Sequence, residues 1–357
     1  MKLLGIEASR GFAALLVVTV HSTRLLEGQR YAGAVPFGGL FTFGHAGVDF
    51  FFVLSGFIIT YVHAPDVGRP VRFETYARRR LTRIYPTYWV ALAIMLGLMV
   101  VSPTPDRSEH QVGNLVTSIL LLPWPKDPLL GVAWSLKHEM LFYVLFGMLV
   151  LHRRVGLAVL AAWGTLTALN VAWTWASGAP LFHGLWGSLA FRIFNDEFFF
   201  GIGVALLVRR GWIRRPWAAA VIGLVLFLGS GLYESFGPPR PIEWPPRHLA
   251  YAAGAALMLY GLAGAEIGGR LRTPRALVTL GAASYSLYLV HVIVLLFVRQ
   301  AARIIQPHLA LPAEAWFLIA VASAVCGGLL FWRYVEQPIL ARLQAARRRP
   351  AALGAAP

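Results

Sequence analysis

Cysteine and negative charge are both scarce in this chain. Of its 357 residues only 16 are Asp or Glu, and Cys326 is the single cysteine. One cysteine builds neither a disulfide framework nor a zinc-ligand spacing, so no metal site is expected. Residues of either charge make up 13% of the chain, about half the ~25% of a soluble domain, which argues against a water-soluble globule. The first apolar stretch carries Glu7 and Arg10 and has no small-residue cleavage site after it, which argues against a cleaved signal peptide. Internal repeats, low-complexity linkers and a separate soluble domain are also missing.

What fills the chain is apolar sequence. Hydrophobic residues reach 57% and mean hydropathy is +0.63. They fall in blocks of about 17 to 22 residues, the length that crosses a hydrocarbon core. The blocks are 6–25, 43–62, 84–101, 134–151, 156–174, 191–208, 217–233, 248–264, 277–298 and 314–335. They predict an all-α polytopic membrane protein of about ten transmembrane helices. Residues 1–340 would form the integral membrane domain, and 341–357 a basic, disordered cytoplasmic tail. A shorter run near 112–122 reads as interfacial or re-entrant, and the Pro- and Trp-rich loop 102–133 is the longest.

The formal charge of +16 could point to nucleic acid, but its placement does not. Nucleic-acid binders line a folded face with Lys and Arg and interleave stacking aromatics. Here the basic residues sit in short runs between apolar blocks. With the N-terminus in the cytoplasm, twenty of the 32 Lys and Arg fall on the cytoplasmic side, six of them in 63–83. Eight fall on the other side (Arg24, Arg30, Arg107, Lys126, Arg240, Arg247, Arg299 and Arg303), and Arg10, Lys137, Arg192 and Arg333 lie within helices. This asymmetry follows the positive-inside rule and places both termini in the cytoplasm.

An ionisable side chain inside a spanning helix costs several kcal/mol and marks a functional cavity. Arg10 and His21 are eleven residues apart, about three helical turns, so they share one face some ~16 Å apart along the axis. Asp49, the Lys137-His138-Glu139 run, Arg192, Asp196, Glu197 and His291 are expected at the outer level, and Glu7, Arg10, Arg80, Arg83 and Glu336 at the inner one. Two polar layers joined by the first helix suggest a crossing cavity. Each signal also has a plain alternative. A lone histidine can be a hydrogen-bond partner of the fold, and arginines 78–83 a topology signal. The glycines and Ser55 can be packing residues, and Tyr85, Tyr88 and Trp89 an interfacial belt.

Taken together, the segments resemble the acyltransferase 3 family of membrane O-acyltransferases. Arg10-Gly11-Phe12-Ala13-Ala14 runs to His21, similar to the family's Arg-x10-His pattern. Gly47 to Phe57, Arg80-x-x-Arg83-Ile84-Tyr85-Pro86-x-Tyr88-Trp89, Trp134-Ser135-Leu136-x-x-Glu139 and Phe199-Phe200-Gly201 follow in the family's order. Ser284-Tyr285-Ser286-Leu287-Tyr288-Leu289-x-His291 and Glu336-x-Pro338 complete the set, so the resemblance covers nearly the whole chain. Two departures stand out: Lys137-His138 replaces the small residues usual before the glutamate, and no esterase-type domain is expected after the tenth helix.

The resemblance implies transfer of an acyl group, most often acetyl, from acyl-coenzyme A to a hydroxyl of a carbohydrate, macrolide or lipid-linked acceptor. The implied location is a bacterial cytoplasmic membrane, among membrane lipids. A hydroxyl needs a base near neutral pH, and an imidazole can serve. His21 is the candidate, with Arg10 on the same helical face and Glu139 orienting the ring or holding the acceptor. Arg80, Arg83 and Arg10 are suited to the phosphates of coenzyme A through forked, charge-assisted bonds. Asp49, Trp134, Tyr288 and His291 are the candidates for binding the acceptor. A secondary transporter or flippase for a lipid-linked or small anionic substrate would also want buried charges, but its inverted repeats are not seen. A structural or sensory protein would leave two layers of costly charge without a use.

Overall fold

The computed structural model describes residues 3–26, 35–101, 112–241 and 244–348. Among the described residues every regular element is helical. In chain order these are α1 (Leu4–Leu26), α2 (Ala46–His63), α3 (Phe73–Val101), α4 (Val112–Leu120), α5 (Trp134–Leu151), α6 (Arg153–Ser177) and α7 (Gly184–Ala190). Then come α8 (Phe194–Arg209), α9 (Pro216–Phe236), α10 (Pro245–Ile267), α11 (Arg275–Ala282), α12 (Ser284–Leu309), α13 (Ala313–Phe331) and α14 (Gln337–Arg348). Lys2, Arg30, Arg107, loop residues 102–111 and the tail from 349 lie outside the described residues.

Nine helices among the described residues are long and apolar enough to cross a membrane: α1, α2, α3, α5, α6, α9, α10, α12 and α13 with its continuation. The tenth expected block, 191–208, is α8, a helix of 16 residues, or ~24 Å at 1.5 Å per residue. That is short of a hydrocarbon core of about 30 Å. Its first turn carries Asn195, Asp196 and Glu197, which interrupt the apolar run, and the preceding chain turns into the separate α7. Large apolar side chains face outward elsewhere, including Val225, Phe297 and Leu318, each more than half exposed. Such a surface fits lipid rather than water.

Several boundaries differ from the hydropathy blocks. α3 begins at Phe73 rather than 84, so arginines 78–83 ride on its first turns and do not lie in a loop. Hydropathy sees only the apolar half of such a helix, whereas Arg is itself a good helix former. The block 277–298 is two helices, broken at Ala283. The tail expected to be disordered from 341 is helical as far as Arg348. Tyr85, Tyr88 and Trp89, which could have been a simple aromatic belt, do specific work on α4. Their polar atoms donate to the carbonyls of Leu120 (2.8 Å), Ser118 (2.6 Å) and Ile119 (3.0 Å). Those carbonyls end α4 and have no partners within it, so three side chains cap the helix end.

The helices that matter for the site are brought close by glycine. A Cβ on Gly56 of α2 would meet the backbone of Phe198 on α8, and one on Gly201 would meet the carbonyl of Val53. The two backbones therefore touch at that crossing, which only residues without a side chain permit. A π-helical turn, Trp332–Glu336, joins α13 to α14 and turns Glu336 into the interior, where it is 1% exposed. π-Turns of this kind interrupt helices most often at functional places.

Candidate active site

Five helices supply one cavity. Arg10 comes from α1, Ser55 from α2, Arg80 and Arg83 from α3, Ser135, Glu139 and Tyr143 from α5, and Ser284, Tyr285 and Tyr288 from α12. The cavity is narrow, about 90 Å³. Through Arg10, Ile58, Arg80 and Arg83 it continues into a wide vestibule of about 1100 Å³, bordered by Glu7, Arg79, Trp332, Arg333 and Glu336. The vestibule opens at the end of the bundle where α14 packs against α3. The rings of Phe51 and Tyr288, 5.9 Å apart, form part of its wall.

The arginines are held differently. Arg10 Nε donates to Ser284 Oγ at 3.1 Å. Arg83 donates to Glu336 Oε1 at 2.9 Å and lies over the Tyr285 ring at 5.4 Å, while Ser286 donates to the other oxygen of Glu336 at 2.6 Å. Arg80 stacks over Tyr143 at 5.9 Å, and its buried Nε has no hydrogen-bond partner among the described residues. A buried donor left open is costly and waits for an acceptor. Arg80 therefore has spare capacity at the cavity wall, and Arg83 is largely committed.

Glu139 faces the arginines rather than His21. Its Oε1 accepts from Ser55 Oγ at 2.8 Å and from Tyr143 OH at 2.5 Å. The expectation of an outer-level residue orienting the histidine is thus corrected. One helical turn separates Ser135 from Glu139 on α5, and both point at the cavity, whereas Lys137 and His138 between them point away.

Neither His21 nor His291 is among the residues that line the arginine cavity. Tyr288 joins the two zones, its ring 6.0 Å from His291. Its hydroxyl donates to the Val132 carbonyl at 2.8 Å and pairs with Ser135 Oγ at 2.6 Å. The rings of His21 and His291 meet edge to face at 4.9 Å. Arg10 and His21 both face α12, since Arg10 reaches Ser284 and His21 reaches His291. His21 Nδ1 sits 2.8 Å from the carbonyl of Val17. A carbonyl can only accept, so Nδ1 carries the proton and Nε2 carries the lone pair a base requires.

Two further candidates fall elsewhere. Trp134 packs among Phe52, His138 and Phe194 with Arg192 above it, outside the cavity wall. Asp49 belongs to a separate buried cluster between α2, α8 and α10. His248 Nδ1 donates to Asp49 Oδ1 at 2.5 Å and lies 3.6 Å from Glu197. His45 approaches Asp49 at 3.9 Å, and Glu234 accepts from His45 (2.6 Å), Arg247 (3.0 Å) and Tyr251 (2.7 Å). Asp49, Glu197 and His248 bring ligand-type atoms within 4.8 Å of one another. Two ligands of one zinc ion with bonds of about 2.1 Å sit roughly 3.4 Å apart. Asp49 and His248 are closer than that and already share a proton, so this pair is a hydrogen-bonded clamp, beside which Glu197 leaves both oxygens without a hydrogen-bond partner among the described residues.

The sequence signal that flagged Asp49 applied equally to His248, which opens the apolar block 248–264, and that residue was overlooked. Ser55, Tyr143 and Ser284 carried no charge and gave no comparable signal.

The acyltransferase domain family matches residues 3–333. Similar proteins include the exopolysaccharide production protein ExoZ of Rhizobium meliloti (strain 1021), 28% identical over 316 residues, which are 87% of this chain and 94% of that protein. Acyltransferase MdmB of Streptomyces mycarofaciens is 29% identical over 380 residues, spanning 96% of this chain and 92% of its own. No solved structure matches the chain at a significant level. The match runs through the arginine cavity and the histidine pair alike, and this integral membrane protein belongs to the acyltransferase 3 family and is an acyltransferase.

Proposed function

We propose that the protein moves an acyl group, acetyl in the simplest case, from cytoplasmic acyl-coenzyme A to a hydroxyl of a carbohydrate-type acceptor in a bacterial inner membrane. The observation that carries this reading is the vestibule. Arg10, Arg79, Arg80, Arg83 and Arg333 all border it, and it continues into the narrow cavity whose wall includes Tyr288, the ring neighbour of His291. A donor with a diphosphate and a 3′-phosphate suits such a wall, because guanidinium groups bind phosphate through paired charge-assisted bonds. The vestibule lies at the end that holds Glu7 and Gln344, near both chain ends, on the side richer in Lys and Arg. That ExoZ is named for exopolysaccharide production supports a carbohydrate acceptor.

The pantetheine arm would extend along the narrow cavity, and Phe51 and Tyr288 would part to let the thioester reach His21. His21 Nε2 then takes the proton of the acceptor hydroxyl as its oxygen attacks the thioester carbon. The C–S bond breaks as the C–O bond is completed, and the proton on His21 passes to the departing sulfur. Removing a general base costs ~10²–10⁴-fold in rate. His21→Ala, assayed with radiolabelled acetyl-coenzyme A and purified glycans, is therefore expected to bind donor normally and transfer almost nothing. Turnover above about a tenth of normal in a correctly inserted His21→Ala protein would overturn the assignment.

A further inference from the structure

His21 and His291 share one local design. Each donates Nδ1–H to the carbonyl four residues earlier in its own helix, His21 to Val17 at 2.8 Å and His291 to Leu287 at 3.1 Å. Both rings therefore present a bare lone pair at Nε2. The rings are in contact, with centroids 4.9 Å apart. His291 is 0% exposed, and its Nε2 has no hydrogen-bond partner among the described residues. Among the described residues no carboxylate is bonded to either ring.

Two imidazoles in contact, each with an acceptor nitrogen and neither with a donor to it among the described residues, form an incomplete arrangement. A ligand hydroxyl completes one half of it: the group that attacks donates to His21. The second acceptor is then satisfied only if the same ligand carries another O–H beside the first. We propose that His21 and His291 together form a vicinal-diol site, with His21 taking the proton of the attacking hydroxyl and His291 Nε2 accepting the hydrogen bond of its neighbour. This rests on the reading of His21 as the base, and it narrows the acceptor to polyols and sugars with adjacent free hydroxyls. An isolated alcohol would leave the lone pair of His291 buried and unpaired. Sites built to bond a hydroxyl reject analogues lacking it for that reason.

Labelled acetyl transfer to cis-1,2-cyclohexanediol and to cyclohexanol separates the possibilities. Wild-type protein is expected to favour the diol by about tenfold or more in kcat/KM, the value of one hydrogen bond to a buried acceptor. His291→Phe keeps an aromatic ring of similar shape but no acceptor, and should bring that ratio close to unity by lowering transfer to the diol more than transfer to cyclohexanol. His291→Gln restores an acceptor oxygen and should recover part of the preference. If His291 merely fills space, Phe would serve better than Gln and the diol ratio would survive. Equal use of the two alcohols by wild type, or a diol preference that persists in His291→Phe, overturns the diol site. Failure to transfer to either alcohol or to any purified glycan overturns the proposed carbohydrate-type acceptor, on which the diol site rests.

Discussion

Two groups of charged side chains are buried in the bundle, and they differ in what they face. Arg10, Arg80, Arg83 and Glu139 line a cavity that opens into the vestibule. Asp49, His248 and Glu197, with His45, Glu234 and Arg247 beyond them, lie between helices and form no part of that wall. In the second group most donors and acceptors meet each other, Glu234 accepting three hydrogen bonds, although both oxygens of Glu197 and Arg247 Nε have no hydrogen-bond partner among the described residues. In the first, Arg80 keeps a buried donor unused beside open space. The cost of burying charge is comparable in both places. What separates the binding wall from the clamp is that Arg80's unused donor lies on the wall shared by the narrow cavity and the arginine-lined vestibule, whereas Asp49 and His248 are bonded to each other.

Breaking the clamp should have the larger thermodynamic effect. His248→Ala strands Asp49 beside Glu197, both 1% exposed. Removing one partner of a buried charged pair costs ~3–5 kcal/mol. Thermal unfolding of the detergent-solubilised protein should fall accordingly, while donor affinity of the folded fraction stays normal. The double change Asp49→Leu with His248→Phe should cost less than His248→Ala alone, because no charge is then left unpaired. Unchanged unfolding with weakened donor binding would transfer this cluster from the clamp to the site.

The cavity group should respond in the opposite sense. Arg80→Ala removes a side chain with no ion pair to strand, so unfolding is expected to stay near wild type. Donor affinity should drop by ~10- to 100-fold, as the loss of a hydrogen bond to a charged group implies at about 1.5–3 kcal/mol. Arg80→Lys should restore only part, since a point charge does not reproduce the fork. Arg83→Ala should lower both quantities, because it also frees Glu336 from its 2.9 Å bond. Isothermal titration with coenzyme A and parallel melts measure the split, and equal profiles for the two arginines would contradict their different bonding.

Much of this was legible before any coordinates. Apolar block length located the spanning helices, because a membrane dictates that length directly. The eleven-residue spacing of Arg10 and His21 put them on one face, since helical periodicity is local information. The pairings were not legible. Asp49 bonds a residue 199 positions away and Arg83 one 253 away. A single sequence does not say which helices neighbour each other. Glu139 was misplaced for the same reason: its depth could be estimated, but the side of α5 facing the arginines depends on α3 and α12. The roles of Tyr85, Tyr88 and Trp89 depended on α4 folding back over them, which the Pro-rich loop did not announce.

The smallest expected effect tests Glu139, which faces the cavity as its one acidic wall residue but is bonded like a member of the clamp. Its Oε1 accepts from Ser55 and Tyr143. Glutamine keeps an oxygen able to accept both bonds, so Glu139→Gln should retain the local geometry and unfold like wild type. What it removes is negative charge opposite Arg10, Arg80 and Arg83, which leaves the wall more positive toward an anionic donor. Donor affinity should therefore hold or rise slightly, and transfer should fall by no more than about tenfold, at the low end for a group that does not itself move the proton. Glu139→Ala should lose more, because two buried hydroxyls are left without their acceptor, at ~1–3 kcal/mol each. Steady-state transfer and coenzyme A titration on both variants decide the matter. A loss in Glu139→Gln as deep as in His21→Ala would make the carboxylate a proton-handling group and move the chemistry to the arginine side of Tyr288.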